Sequence, residues 1–87
     1  MTGYVYILQS EKNKRYYVGS TNDLERRIKE HQQGRSKYTS NNLPVKLVFS
    51  QQYSDLTLAR NIEYKIKNYK SKVIIEKIIN SGRIEIS

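Results

Sequence analysis

The sequence contains no cysteine and no tryptophan, and only one histidine, one proline, one phenylalanine and four glycines in 87 residues. Without cysteine there is neither a disulfide framework nor a thiolate zinc site, and a reducing compartment suits the chain. Acidic residues are also scarce: the eight Asp and Glu are scattered, so paired carboxylates of the kind that hold two metal ions are absent. At most one carboxylate-anchored metal is expected. Long apolar runs are missing as well. The chain runs straight into Tyr4-Val5-Tyr6-Ile7-Leu8 without a basic region and an extended apolar stretch, which argues against a secretory signal, and nothing is long enough to span a bilayer. Ser/His/Asp triads, glycine-rich phosphate loops and Cys/His metal clusters do not occur at the required spacings. No Pro/Gly/Ser-rich linker divides the chain, so residues 1–87 read as one small domain with a modest core and a shallow active surface.

What is present is positive charge and tyrosine. Sixteen Lys and Arg give a formal charge of +8, and eight of the nine aromatic residues are Tyr. The basic residues run from Lys12 to Arg83 rather than forming a tail, which predicts a folded basic face. A polyanion, nucleic acid first, is the expected partner, although a charged solvated surface alone would have the same composition. The expected setting is the cytoplasm, in association with the nucleoid, with no membrane.

Tyr4 to Gln9 and Tyr16 to Gly19 are rich in aromatic and β-branched residues and flank a polar turn, which predicts a β-hairpin. A turn centred on Lys12-Asn13 sets Leu8 opposite Tyr17 and Tyr6 opposite Gly19, so that Tyr6 and Tyr17 share a face. Asn22 followed by Glu25 resembles a capping box for a helix over 23–33, ended by Gly34. In that helix Leu24 and Ile28 form the apolar stripe, with Arg27 and His31 beside it. Residues 34–42 read as a mobile polar loop whose Arg35 and Lys37 reach backbone phosphate. A third strand is expected over 45–53. Ala59, Ile62, Ile66 and Tyr69 give a helix starting at Ser54-Asp55 its buried stripe, and a further helix spans 72–80. The alternation Arg83-Ile84-Glu85-Ile86 predicts a short terminal strand. The expected fold is α/β of the α+β kind: a small, largely antiparallel three-stranded sheet flanked by helices, in the order β-β-α-β-α-α.

Taken singly, the polar residues need no function. Tyr6 and Tyr17 are ordinary strand residues, and Glu63 with Lys67 has the spacing of a helical ion pair worth roughly 0.2–0.5 kcal/mol. Their order is more telling. Tyr4-Val5-Tyr6, Tyr17-Val18-Gly19, Arg27 and His31, then Arg60-Asn61-Ile62-Glu63 together resemble the GIY-YIG endonuclease family, in particular its small stand-alone bacterial members. The first triplet begins with Tyr4 where the family name has glycine, and Gly3 lies just before it. A late asparagine used by some members has no clear equivalent at Asn68 or Asn80.

The resemblance implies a divalent-metal-dependent endonuclease that cuts or nicks DNA, in repair or recombination, with a protein partner supplying target choice. It places Tyr6, Tyr17, Arg27 and His31 at catalytic positions and Glu63 as ligand of one Mg²⁺, or Mn²⁺. Gly19, Ser20, Arg26, Arg35, Lys37, Arg60 and Lys67 are the expected nucleic-acid contacts. The chemistry of these groups agrees: Mg²⁺ needs one or two carboxylates besides water and phosphate, and a guanidinium fork suits phosphate oxygens. Tyr6 is expected to take the proton of the attacking water while Tyr17 and His31 orient that water or the scissile phosphate. An ordinary phenol titrates near 10, so this role requires Arg27 and the metal to lower the pKa of Tyr6. The alternative is a non-catalytic DNA- or RNA-binding module on the same fold.

Overall fold

A computed structural model describes residues 2–85. Its elements are β1 (Gly3–Ser10), β2 (Tyr16–Thr21), α1 (Leu24–Gln32), β3 (Val45–Tyr53), α2 (Leu56–Tyr69) and α3 (Lys72–Ser81), with a 3-10 turn at Ser40–Asn42 before β3. This is the expected β-β-α-β-α-α order in an α+β fold. The sheet is antiparallel with strand order β2-β1-β3, so β1 is central and β2 keeps one free edge. The hairpin register pairs Tyr6 with Gly19 and Leu8 with Tyr17, as the turn position predicts.

Alternation along the strands separates two apolar layers. One face presents Val5, Ile7, Val18 and Phe49 to Ala59, Ile62 and Ile66 of α2 and Ile78 of α3. The other presents Tyr6, Leu8, Tyr17 and Val45 to Leu24 and Ile28 of α1, together with Leu43. The sheet is thus the middle layer, and Tyr6 and Tyr17 lie on the face that α1 covers.

Local chemistry sets the element ends. Asp55 and Ser71 cap α2 and α3 through side-chain oxygens that accept from Leu58 N and Ile74 N, satisfying amides with no partner inside the helix. Gly34 and Gly82 follow α1 and α3 with positive φ of 77° and 78°, a region that glycine enters without steric cost.

Four expectations need correction. The cap of α1 is Asp23, whose side chain accepts from Arg26 N, because Thr21 Oγ1 turns the chain one residue later than Asn22 by accepting from Asp23 N. Tyr69 is the final residue of α2, just before left-handed Lys70, and is 51% exposed instead of buried in the core. Arg83 to Glu85 form no strand: the Ile84 amide is taken by the Gln51 side chain at 2.8 Å, and Ile86 lies outside the described residues. Segment 34–42 is tied down. Ser36 and Thr39 are buried, and Asn42 bonds the hairpin turn through Ser10 Oγ (2.6 Å) and Asn13 Nδ2 (2.6 Å).

Candidate active site

The position of Tyr6 follows from the residue opposite it. A Cβ on Gly19 would collide with the Tyr6 ring and hydroxyl, so glycine here lets the phenol lie across the edge strand β2. Helix α1 covers the same face and brings two of its polar residues to that hydroxyl. His31, 1% exposed, places Nε2 2.9 Å from Tyr6 Oη, and its Nδ1 lies 2.8 Å from Thr39 Oγ1. The two rings meet edge-on, with centroids 5.6 Å apart. Arg27, one turn before His31, lies beside the same hydroxyl and is steadied by a 3.0 Å bond to Glu30.

Glu63 arrives from the opposite layer. Ser20 follows Gly19, so its side chain points to the α2 face, where its Oγ donates to Glu63 Oε1 at 2.5 Å. The other carboxylate oxygen is 2.7 Å from Lys67 Nζ. The Gly19-Ser20 stretch of β2 is therefore the meeting point of Tyr6, Arg27 and His31 from one side and Glu63 and Lys67 from the other. Both Glu63 and Lys67 are close enough to act electrostatically on Tyr6.

Burial decides the protonation states. It raises the pKa of Tyr6 above the ordinary phenol value, and the neighbouring Arg27 opposes this without overcoming it. The expected lowering by Arg27 is present but is outweighed, so Tyr6 is a neutral phenol in the protein alone. Burial, reinforced by Arg27, lowers His31 to about 4. His31 is thus a neutral imidazole at pH 7, with one nitrogen available to accept. Burial works against the charge on Arg27, but its bonds to Glu30 and Tyr6 outweigh that and its pKa rises.

Tyr17 stands apart from this group. It is two residues before Gly19, buried, with its ring perpendicular to that of Tyr38 at 4.8 Å, and its hydroxyl has no hydrogen-bond partner among the described residues. Lys67 links the two areas, since its Nζ lies 5.0 Å from the centre of the Tyr38 ring. Arg60 is exposed one turn before Glu63 and lines a hollow with Ser20, Arg26 and Arg27. Arg26 is engaged by Glu30 at 3.0 Å and Asp23 at 3.7 Å. Arg35 borders the outer face of α1 among Asp23, Glu25 and Glu30, and Lys37 is exposed beside Tyr38. The structure therefore joins Tyr6, Arg27, His31, Gly19, Ser20, Glu63 and Lys67, and leaves Arg35 outside that cluster.

Two participants escape a reading of the sequence. Glu30 was open to it, because three residues after Arg27 is an ion-pair distance on a helix. Thr39 carried no signal, since only the fold of segment 34–42 brings it to His31.

Among the described residues no group of three His, Cys, Asp or Glu is placed to hold a metal. The donors present are the carboxylate of Glu63 and the hydroxyl of Ser20, which are hard oxygens. Such a set fits Mg²⁺ or Mn²⁺ completed by water and phosphate, and does not fit a zinc cage.

Comparison with known proteins agrees with this arrangement. The family model described as "GIY-YIG catalytic domain" matches residues 2–78. The UPF0213 protein CPE1444 of Clostridium perfringens is 41% identical, covering 94% of this chain and 92% of that protein. The UPF0213 protein YazA of Bacillus subtilis is 35% identical over 90% of this chain and 82% of its own. The solution NMR structure of the UPF0213 protein BH0048 from Bacillus halodurans superposes with a TM-score of 0.59 at 34% identity, covering 92% of this chain and 84% of that one.

Proposed function

The chain belongs to the GIY-YIG family, a family of nucleases, and from that membership and the site's geometry we propose that it is a divalent-metal-dependent endonuclease hydrolysing phosphodiester bonds in DNA. The observation that carries this reading is the convergence of a phenol, an imidazole, a guanidinium and a carboxylate on the Gly19-Ser20 edge. Hydrolysis needs a base for the water, compensation of the charge that grows on phosphorus, and help for the departing oxygen.

Tyr6 is the base in this proposal. Its own hydrogen points to Nε2 of His31, whose Nδ1–H is held by Thr39, and beside the bond accepted from Arg27 one lone pair of the phenol oxygen is left for the hydrogen of the attacking water. As Tyr6 takes that hydrogen, its own passes toward His31. A pKa near 4 makes imidazole a poor proton holder at rest, but negative charge building on the phosphate favours the proton there. Arg27, permanently charged and braced by Glu30, binds non-bridging phosphate oxygens through its free donors. Glu63, with Ser20 beside it, would hold the metal, which supplies Lewis-acid stabilisation of the phosphate and leaving oxygen when bound.

One observation favours the alternative of a non-catalytic nucleic-acid-binding module: in the resting protein both Glu63 oxygens are already engaged, by Ser20 and Lys67. The deciding experiment incubates purified protein with end-labelled linear, branched and single-stranded DNA, with Mg²⁺ or with EDTA, alongside Glu63→Ala. The nuclease reading expects cutting that needs both the metal and Glu63. Salt-sensitive binding without cutting by the wild-type protein on any of these substrates would leave the binding module.

A further inference from the structure

A groove with no acidic lining residue leads away from the Glu63 site. It is bounded by the hairpin end (Lys14, Arg15, Tyr17), by Tyr38, and by the α2–α3 junction (Lys67, Lys70, Lys72), and it encloses about 460 Å³. Helix α2 sets its course: Arg60, Glu63 and Lys67 recur every three or four residues, a stripe along one helix face spanning about 10 Å, and Lys70 caps the helix just beyond it. Lys67 belongs to both areas, since it touches Glu63 and lies over the Tyr38 ring. Among the described residues no carboxylate pairs with Lys14, Arg15, Lys70 or Lys72, whereas Arg26, Arg27 and Lys29 on α1 each have an acidic partner. Four cations without a carboxylate partner therefore line this one groove.

Tyr38 gives the groove its chemistry. The residue is 48% exposed, although its neighbours Ser36 and Thr39 are buried. The loop is fastened to α1 by Thr39 and His31 and to the hairpin turn by Asn42 with Ser10 and Asn13. An exposed aromatic ring on a fixed loop is a surface whose ordering cost is met in folding rather than in binding. Beneath it the buried Tyr17 hydroxyl has no hydrogen-bond partner among the described residues.

We propose that this groove binds a single-stranded segment of nucleic acid next to the scissile phosphate, with an unpaired base stacked on Tyr38 and the flanking phosphates on Lys14, Arg15, Lys70 and Lys72. The proposal deepens the nuclease reading by naming the substrate class, and rests on it for the scissile phosphate alone. A groove of this size takes one nucleotide-sized group, and only an unpaired base offers Tyr38 a free face. Aromatic rings among basic side chains are the recurring means of holding single strands, because every base has a face to stack. A purely acidic peptide would satisfy the lysines and leave Tyr38 without a role.

The test is fluorescence anisotropy in EDTA, so that binding is read without cutting. The probes are a labelled 12-nucleotide thymidine strand, the corresponding thymidine–adenine duplex, an abasic strand of equal length, and a labelled polyglutamate peptide. The thymidine strand should bind several-fold more tightly than the duplex. Tyr38→Ala should weaken it about tenfold while leaving the abasic strand unchanged, and Tyr38→Phe should keep wild-type affinity. Lys70→Ala with Lys72→Ala should weaken both strands and reduce the salt slope by about 1.4. Circular dichroism melting confirms that each variant is folded, and Lys46→Ala on β3 serves as the control. Duplex binding as tight as the thymidine strand, an indifferent Tyr38→Ala, or polyglutamate binding as tightly as the thymidine strand would each overturn the groove. The two readings fail separately: a protein that binds as stated yet never cuts retains the groove and loses the nuclease, whereas one that cuts but prefers duplex does the reverse.

Discussion

The Tyr6 hydroxyl lies 2.9 Å from Nε2 of His31, a residue 25 positions later in the chain, and both side chains are buried. The pair exists because β1 carries the phenol on the face that α1 covers and because Gly19 leaves room above it. A neutral imidazole with its hydrogen on Nδ1, toward Thr39, fixes the direction of the phenol hydrogen in the proposed mechanism, which an isolated tyrosine would leave to rotate. Tyr6→Phe removes only the oxygen and keeps the ring packing, so DNA binding and melting temperature should change little. Cleavage should fall by about 10²–10⁴-fold, the usual contribution of a positioned base. His31→Gln should give a smaller loss in kcat with KM nearly constant. Single-turnover rates on end-labelled DNA measure both, and a fully active Tyr6→Phe would remove Tyr6 as the base.

His31 also makes stability depend on pH. Its pKa falls from 6.5 to about 4 on folding, so the unfolded chain binds the proton more readily between those values. The contribution of the neutral side chain is complete above pH 6.5 and is lost as pH drops toward 4. At full size it is on the order of 2–3 kcal/mol. Urea denaturation at pH 7.5 and pH 4.5 should therefore show a clear loss in the wild-type protein and a flatter profile for His31→Gln. Parallel profiles would show that His31 is not held neutral.

Much of this site was legible in the sequence because its parts are set locally. The hairpin turn fixes the Tyr6–Gly19 register, and one helical turn puts Arg27 and His31 on the same side of α1. Glu63 follows from the apolar stripe of α2, which orients that helix on the sheet. Three features depend on contacts between distant segments and were not readable. Thr39 meets His31 only because Asn42 is bonded to the hairpin turn. Tyr6 is raised instead of lowered because burial, which no motif records, outweighs Arg27. The basic groove joins Lys14 and Arg15 to Lys70 and Lys72 across more than fifty residues of chain.

The Lys67 ammonium sits 2.7 Å from Glu63, where it competes with any divalent ion for one carboxylate oxygen. Both side chains are partly exposed, so the ion pair is worth about 0.2–1 kcal/mol and yields to a tightly bound metal. Lys67→Met should lower the Mg²⁺ concentration needed for half-maximal cleavage by up to about fivefold, while weakening the affinity for DNA. Titration of Mg²⁺ at saturating DNA separates the two effects. An increased metal requirement in Lys67→Met would mean that the lysine assists the ion and does not oppose it.

Gly19 and Gly3 allow the packing role of a glycine to be separated from its role in the site. A Cβ at Gly19 would strike the ring and hydroxyl of Tyr6, whereas a Cβ at Gly3 would lie 2.6 Å from the Asp55 carbonyl oxygen and 2.7 Å from Leu56 Cα, at the start of α2. Both substitutions overfill a packed region, so Gly19→Ala and Gly3→Ala should each cost about 1–3 kcal/mol in urea denaturation with an unchanged m value. Their effects on catalysis should differ. At Gly19 the movable group is Tyr6, and its displacement breaks the bond to His31, so the folded variant should cut as poorly as Tyr6→Phe. At Gly3 the strain falls on the backbone joining β3 to α2, away from Tyr6 and His31, so the folded protein should keep most of its rate. Cleavage assays at a temperature where both variants are fully folded make the comparison, and equal losses of rate would mean that Gly19 matters for stability alone.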